Sequence, residues 1–339
     1  MMPFFAFALL LIYGPVAAAQ PDNGALVRIA VLKDADEVVL KIPGAYEISD
    51  PATGEILGRG RRLPRVVIQK GAQGVRLGAR ELPLTRLRFS AQRDVTVVAG
   101  RKERRYRGLI DVNLDGNQKF FVVNRLDVED YIRGVLYHEV SHRWPIEALK
   151  VQAVAARSYA IYQMKRNAAR EYDVTNDIYS QVYGGRTSER YRTNLAIDRT
   201  RARVLTFKGE VLPAYFHATC GGHTEDVREL WKHEGLTPLY GVRCMYCRES
   251  PHYFWKRNFR LKDVQDKLNA KGYKIGMIAD INVVARDKSD RIQSLLITDR
   301  EGKQITVSGK DFREIVGPNV VRSNNYYIVM KGYFCDLLG

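Results

Sequence analysis

The chain has 339 residues, of which 45% are hydrophobic and 27% charged. This composition is typical of a folded protein with enough material for a sizeable core, and the interior holds no apolar run long enough to span a membrane. Lysine and arginine outnumber aspartate and glutamate by 54 to 38, and the net charge of +16 favours polyanionic partners.

The first twenty residues differ from the rest. They are apolar, are broken at Gly14-Pro15, and end in small residues, with Ala17 and Ala19 in the pattern of a cleavage site. We expect a secretory signal over residues 1–19, although no lysine or arginine precedes the apolar run. An uncleaved anchor is the alternative, but the run is short for one. The expected location is therefore the periplasm, the cell wall or the extracellular space, with no stable membrane span.

For an exported protein the polyanion would be a cell-envelope polymer, and the signal argues against nucleic acid. Two basic runs stand out, RGRRLPR at 59–65 and RKERRYR at 101–107. Both lie in β-like sequence. Each is interpreted equally well as a solvated strand edge and as a binding patch.

The region up to residue 124 is predicted to consist of short strands. β-rich runs separated by glycine, proline and aspartate turns are LVRIAVL, EVVLKI, RVVIQ, VTVVAG and KFFVVN. The sequence LDGNQ at 114–118 predicts a hairpin turn before the last of these runs.

The pattern then changes to that of a helix. Asp127 is a predicted N-cap, and Val128, Ile132, Val135 and Glu139 recur at intervals of four, three and four. Glu139 therefore occupies a position on the apolar stripe of this helix. This is an unusual place for a carboxylate.

A second helix is predicted to start near Pro145, with an alanine-rich face that suits close packing. Further helices are expected in 188–202 and 309–317, a β-hairpin about Lys208-Gly209, and mostly strands after residue 281. The prediction is an α+β fold. One domain would cover 20–339, with a β-rich lobe at 20–124 and a catalytic core at 125–339 that includes a possible zinc knuckle.

The segment VNRLDVEDYIRGVLYHEVSHRWPIEALKVQAVAARSYAIY (123–162) resembles the signature of the SpoIID family, the stage II sporulation protein D and LytB-like group. Segments that are similar to other family blocks, in the same order, are YRGLIDV (106–112), SQVYGG (180–185), AYFHATCGGHTEDVRELW (214–231), SPHYFW (250–255) and VVRSNNYYI (320–328).

The resemblance implies a peptidoglycan lytic transglycosylase, which cleaves the bond between N-acetylmuramic acid (MurNAc) and N-acetylglucosamine (GlcNAc) in glycan strands. It implies Glu139 as the catalytic residue. This chain has Val140-Ser141 where the family often has Met-Pro, which alters the turn but not the carboxylate.

The chemistry suits this assignment, because a carboxyl group on an apolar face has a raised pKa and can donate a proton near neutral pH. A lytic transglycosylase needs only one carboxylate, since the muramic 6-hydroxyl replaces water and the product is a 1,6-anhydro sugar. The alternative is that Glu139 caps the next helix near Pro145, where it would have a lowered pKa.

Several polar and aromatic residues are candidates for substrate contact, and each has an equally ordinary structural interpretation. They are Gln181, Tyr183, Tyr159, His138 and His142. Lys150, Arg157 and Ser158 on the second helix are weaker candidates.

The cysteines suggest a metal. Cys220 and His223 form C-x2-H, and Cys244 and Cys247 form C-x2-C, which together have the ligand spacing of a structural zinc site. Either His217 or His252 is a possible substitute ligand. Export favours disulfides instead, either Cys244–Cys247 or Cys220–Cys335.

The resemblance therefore implies a glycan-cleaving carbon–oxygen lyase. Its candidate partners are peptidoglycan strands and a cell-wall amidase, and zinc is the candidate structural cofactor. Two alternatives stay open. One is a wall-binding protein, without catalysis, that stimulates an N-acetylmuramoyl-L-alanine amidase. The other is a metal hydrolase that uses the cysteine and histidine cluster.

Overall fold

The computed structural model describes residues 26–231 and 235–339, so the predicted signal over 1–19 lies outside the described residues. Within that part the chain divides into two compact units, the first ending at Phe216 and the second spanning His217–Gly339. Strands and helices both contribute substantially, which confirms the predicted α+β class. No helix of the described residues is long and apolar enough to cross a membrane.

Two antiparallel-dominated sheets form most of the first unit. Its strands are β1 (Val27–Ala35), β2 (Glu37–Ile42), β3 (Tyr46–Ser49), β4 (Ile56–Gly60), β5 (Leu63–Lys70), β6 (Val75–Leu77), β7 (Arg80–Leu82), β8 (Arg86–Ala91), β9 (Val95–Ala99), β10 (Lys102–Tyr106), β11 (Leu109–Leu114), β12 (Phe120–Leu126), β13 (Val174–Thr175), β14 (Thr206–Phe207) and β15 (Glu210–Val211). One sheet has the order β13-β1-β12-β11-β8-β3-β4 and the other β10-β9-β2-β5-β6-β7. All five predicted strand runs are found among them.

Both predicted hairpin turns are present. β11 and β12 pair antiparallel around residues 115–119, and Gln118 has a φ of 62° there. In the β14–β15 hairpin Lys208 and Gly209 have φ values of 52° and 81°, which is the geometry of a two-residue turn that suits the twist of paired strands.

The helices of the first unit are α1 (Val128–Glu139), α2 (Ile146–Arg166) and α3 (Tyr191–Arg199), with a 3₁₀ turn at Gly185–Ser188. Strand β12 leads directly into α1. Side chains from both sheets and both long helices share one buried cluster, which includes Leu40, Ile110, Ile132 and Ala153. The strands before residue 124 therefore have no core of their own.

The second unit has its own core. Its elements are α4 (Val227–Trp231), β16 (Lys256–Arg260), α5 (Leu261–Ala270), β17 (Ile278–Arg286), β18 (Ile292–Asp299), β19 (Gln304–Ser308), α6 (Gly309–Val316), β20 (Tyr327–Lys331) and β21 (Phe334–Leu338). The strands form two three-stranded sheets, β16-β21-β20 and β17-β18-β19, around a cluster that includes Trp255, Leu295 and Phe312.

This division differs from the sequence-based prediction of a single domain with a boundary at 124. Two separate clusters of buried side chains make two units, because a compact unit is defined by the core it buries. The boundary falls at 216–217, where neither cluster has a member.

Candidate functional site

The first half of the site is built by α1. Asp127 caps this helix by accepting a hydrogen bond from the Glu129 N–H at 2.7 Å, as predicted. Ile132 and Val135 are fully buried on the face that packs into the core. The helix ends at Glu139, and Val140 is already extended. Glu139 is therefore the last residue of α1, on the edge of the buried face.

The surroundings of Glu139 favour its protonated form. Burial raises the pKa of the Glu139 carboxyl above its ordinary value of 4.5, and a hydrogen bond from the backbone N–H of Val182 partly offsets this. The C-terminal end of a helix carries partial negative charge, which also disfavours a carboxylate. Within residues 26–231 and 235–339, Glu139 makes no ion pair with a lysine, arginine or histidine. Its carboxyl group is therefore half-buried, and no positive charge in that part of the chain pairs with it.

The alternative role for Glu139, as a cap of α2, is not seen. Pro145 is the N-cap residue of α2, and no side chain donates or accepts a capping hydrogen bond there. Among the described residues, the backbone partner of Glu139 is Val182, 43 residues further along the chain.

The segment 180–185, SQVYGG, forms the other half of the site. Besides Val182, it contributes Gln181, which is buried and whose Oε1 accepts a hydrogen bond from the Tyr131 hydroxyl at 3.2 Å. The Gln181 Nε2 is buried and has no hydrogen-bond partner within the described residues. Gly184 donates its N–H to the Gly134 carbonyl at 3.1 Å. This segment is therefore fastened along α1 by backbone and side-chain contacts.

Two tyrosine hydroxyls lie in the electrostatic reach of Glu139. Tyr131 is fully buried, and burial raises its pKa well above the usual range, with smaller contributions from Tyr159 and Glu139. Tyr159 on α2 is half-buried. Its hydroxyl bonds to the side chains of Ser180 and Gln163, and burial raises its pKa too. Both tyrosines stay protonated and are available as hydrogen-bond donors.

The predicted substrate residues are placed differently from one another. Tyr159 lies within electrostatic reach of Glu139, and Gln181 precedes Val182, whose N–H bonds to Glu139. Tyr183 is only 1% exposed, its ring centroid lies 5.8 Å from that of Tyr106 and 5.3 Å from that of Tyr131, and its hydroxyl donates to Asn124 Oδ1 at 2.8 Å. A sugar contact would require Tyr183 to leave the core, so its role in this structure is packing.

The two histidines contact residues other than Glu139 and Gln181. His138 places Nε2 2.6 Å from Ser188 Oγ, and partial burial of its ring together with Arg104 and Arg190 lowers its pKa. The His142 ring lies 5.6 Å from that of Tyr137. In the part of the chain that the structure describes, neither histidine forms a hydrogen bond with Glu139.

The weaker candidates on α2 have structural partners. Arg157 is fully buried and forms a bidentate ion pair with Glu129, with both N–O distances at 2.8 Å. Lys150 pairs with Glu147 at 2.9 Å. Ser158 Oγ donates to the Val154 carbonyl at 2.7 Å and accepts from the Leu205 N–H at 2.8 Å.

Sequence reasoning did not identify Tyr131, Glu129 or Val182. Tyr131 could have been found, because positions 131, 135 and 139 are spaced at four and share one face of a helix. The Val182 backbone left no signal in the sequence, since any residue other than proline supplies an N–H.

The cysteine cluster lies in the second unit. The Sγ atoms of Cys220, Cys244 and Cys247 lie within 4.8 Å of one another, and those of Cys220 and Cys247 are 3.4 Å apart. Zn–S bonds of about 2.3 Å in a tetrahedron place sulfur atoms about 3.8 Å apart, so three thiolates at these separations fit a zinc ion.

His223, predicted as the fourth ligand, is not part of this cluster. Its Nδ1 lies 2.7 Å from the Thr224 carbonyl oxygen, and its backbone forms a bridge with Arg243. The prediction of His223 as a ligand is corrected on this ground. All four cysteines are free, and Cys335 is buried in the core of the second unit, so the Cys220–Cys335 and Cys244–Cys247 disulfides are not formed in this structure.

Residues 116–207 match the family model SpoIID, described as stage II sporulation protein. This stretch contains α1, α2 and the segment 180–185. It therefore contains Glu139 and every partner of Glu139 described above.

Similar proteins agree with this assignment. An uncharacterised protein of Brachyspira hyodysenteriae is 35% identical over 62% of this chain and 56% of its own length. Stage II sporulation protein D of Bacillus amyloliquefaciens is 28% identical over 58% of this chain and 59% of its own length. The amidase enhancer of Bacillus subtilis is 36% identical over 30% of this chain and 13% of its own length.

The family model and the named relatives support the SpoIID family, as the resemblance predicted. The chain spans under two thirds of the length of these curated relatives.

Proposed function

We propose that the protein is an exported cell-wall enzyme, a lytic transglycosylase that cleaves peptidoglycan glycan strands with Glu139 as its general acid and base. The observation that carries this proposal is the state of Glu139. It is half-buried at the end of α1, its pKa is raised by burial, and its one hydrogen-bond partner in the described part of the chain is the Val182 N–H. A structural glutamate would be expected to have a cation beside it.

In the first step the protonated Glu139 donates its proton to the glycosidic oxygen between MurNAc and GlcNAc, and the bond from the muramic C1 to that oxygen breaks. The muramic 6-hydroxyl oxygen then bonds to C1, and its proton passes to the Glu139 carboxylate. The products are a new GlcNAc hydroxyl and a 1,6-anhydro-MurNAc end, and Glu139 is again protonated. Val182 holds the carboxylate in place through both steps.

The surroundings of Glu139 favour this route over hydrolysis. Hydrolases of glycosidic bonds use a second carboxylate to activate water or to attack the sugar. Among the described residues, no carboxylate contributes to the pKa of Glu139. One acid that later serves as the base is sufficient when the nucleophile belongs to the substrate.

Exposed aromatic side chains border the two segments of the site in the sequence. Trp144 follows α1 and is 50% exposed, and Tyr179 precedes Ser180 and is 85% exposed. Flat aromatic faces suit the apolar faces of sugar rings, and large exposed aromatic residues often mark binding surfaces. They support a glycan as the substrate.

The test is mass spectrometry of purified glycan strands, with and without stem peptides, after incubation with residues 20–339. Fragments with anhydro ends from the wild type, and none from Glu139→Gln, are the expected result. Fragments with reducing ends would show that water is the nucleophile and would replace the transglycosylase by a hydrolase.

A second function is favoured by the match to an amidase enhancer. In this alternative the protein binds glycan strands and stimulates an N-acetylmuramoyl-L-alanine amidase without cleaving the strand. The same incubation, with an amidase added, distinguishes the two functions. The alternative would be established if the strands stay intact and the amidase releases peptides faster, with the same stimulation by the wild type and by Glu139→Gln.

We also propose a structural zinc ion bound by the thiolates of Cys220, Cys244 and Cys247. Burial raises the pKa of the Cys220 thiol to about 11, so a bound cation would be needed to keep it ionised at neutral pH. Metal analysis is expected to find one zinc per chain, lost in Cys244→Ser and retained in Cys335→Ala. A disulfide would be identified instead if no zinc is found and two thiols per chain can be alkylated only after reduction.

A further inference from the structure

We propose that an arginine-lined cleft in the first unit binds carboxylate groups carried by the glycan strand that enters the Glu139 site. This inference rests on the proposed function, because it names the groups of the proposed substrate that the protein holds away from the reacting bond. It also gives a role to one of the two basic runs of the sequence.

The cleft has a volume of about 500 Å³, and its charged lining is mostly arginine. The charged residues that line it are Arg93, Arg105, Arg107, Arg186, Asp94 and Asp130. The basic run 101–107 supplies two of the four arginines. This run is therefore placed at a concave site, whereas no residue of the run 59–65 lines the cleft.

Two of the arginines are already neutralised. Arg107 forms a bidentate pair with Glu189, with N–O distances of 2.8 and 2.9 Å, and Arg186 lies 3.2 Å from Asp94. These pairs fix the walls of the cleft. They leave little charge for a ligand.

The other two arginines are free. Arg93 and Arg105 are exposed, and neither has an ion-pair or side-chain hydrogen-bond partner within the described residues. A guanidinium offers a planar fork of N–H donors that matches the two oxygens of a carboxylate. The cleft thus presents two uncommitted carboxylate receptors between walls that are held by ion pairs.

The cleft and the Glu139 site share two elements. Asp130 lies on α1 nine residues before Glu139, about 14 Å along the helix and on its opposite side. Arg186 gives the shorter link, because it lies four residues after Val182, whose N–H bonds to Glu139, and four residues of chain span at most about 14 Å. A glycan strand that crosses the segment 180–185 would reach both places.

The carboxylates of such a strand have two sources. Muramic acid carries a lactyl carboxylate once its stem peptide is removed, and the stem peptides carry carboxylates when they are present. GlcNAc carries none. The proposal therefore concerns the shared carboxylate chemistry, and the experiment separates the sources.

The experiment measures Kd with the full chain carrying Glu139→Gln, so that ligands are not consumed. Arg93→Gln with Arg105→Gln is the test pair, and Arg61→Gln with Arg62→Gln is the matched control. Arg61 and Arg62 belong to the other basic run, are exposed, and have no ion-pair partner among the residues that the structure describes. The ligands are strands with stem peptides, strands stripped by an amidase, and chitin oligosaccharides, which lack carboxylates.

We expect the test pair to weaken binding of at least one carboxylate-bearing strand by about three- to tenfold at low salt, and less at high salt. Chitin binding and the control pair are expected to be unchanged. The strand that shows the loss identifies the source. Arg105→Lys, which keeps the charge and loses the fork, is expected to give a smaller loss.

Unchanged binding by the test pair, an equal loss in the control pair, or a loss with chitin would each overturn the cleft proposal. Matching thermal midpoints confirm that all variants are folded. The proposed function is judged separately, because it fails if Glu139→Gln alone still cleaves strands, whatever the cleft variants do.

Discussion

Helix α1 carries a glutamate near each end, and the two have opposite surroundings. Glu129 is 5% exposed, pairs with the fully buried Arg157 at 2.8 Å, and accepts a further hydrogen bond from the Ala202 N–H at 3.0 Å. Glu139 is half-buried and has no cation beside it within 26–231 and 235–339. The first has a buried counter-charge beside it, and the second is pushed towards the neutral acid.

The difference teaches how chemistry and stability are divided within one helix. A buried carboxylate that is paired and hydrogen-bonded supports the fold, and removing its partner is costly. A carboxylate that is desolvated without a partner contributes little to the fold and is suited to proton transfer. The two variants Glu139→Gln and Glu129→Gln should therefore fail in different assays.

The largest effect is expected for Glu139→Gln on cleavage. Loss of the proton donor should reduce the rate on glycan strands by about 10²- to 10⁴-fold, while the free energy of unfolding changes by less than about 1 kcal/mol. Fragment release and urea unfolding measure the two quantities. A variant that is fully active would remove Glu139 from the chemistry.

The next effect is expected for Glu129→Gln on stability. It leaves the Arg157 guanidinium buried without its counter-charge, and the free energy of unfolding should fall by about 3–5 kcal/mol. Urea denaturation measures this, and the cleavage rate per folded molecule should be retained.

A double variant sharpens this result. Glu129→Gln together with Arg157→Gln should cost less than the sum of the two single substitutions, because each single substitution leaves one unpaired charge and the double variant leaves none. Additive costs would show that the ion pair is not what stabilises this end of α1.

The third prediction concerns pH. Protonated Glu139 starts the reaction, so kcat/KM should fall as pH rises through its raised pKa, above 4.5. The same shift affects stability. A carboxyl group with a raised pKa in the folded state contributes stability that is fully present below 4.5 and is lost as pH rises through the folded value.

Glu139→Gln cannot titrate at this position. Its stability relative to the wild type should therefore improve between pH 4.5 and neutral pH, as measured by urea unfolding at both values. A stability difference that does not vary with pH would contradict the raised pKa.

The smallest effect is expected for Tyr159→Phe. The change removes the hydroxyl that bonds to Ser180 and Gln163, and so loosens the start of the segment that holds Glu139. A reduction of cleavage by about three- to tenfold is expected, which corresponds to about 0.7–1.4 kcal/mol.

Tyr183→Phe is the matched control for this change. It loses a buried hydrogen bond to Asn124 and should cost about 0.5–1.5 kcal/mol of stability, with cleavage unchanged. Equal activity losses in both variants would show that Tyr159 acts only through general packing.

The local sequence determined much of what is seen around Glu139. The stripe of apolar residues and the capping Asp127 defined α1, and turn residues defined the hairpins about 114–118 and Lys208-Gly209, because these features depend on neighbours within a few residues. The position of Glu139 on the stripe followed from the same periodicity. These features could be predicted without any tertiary contact.

Tertiary structure decided what distant residues do to one another. The Val182 N–H on Glu139, the burial of Tyr183, the pairing of Glu129 with Arg157 and the exclusion of His223 from the cysteine cluster all join positions whose meeting depends on packing. Spacing along the chain does not encode which side chain turns towards a partner. The division into two cores was likewise set by packing, because burial is shared among elements that are far apart in sequence.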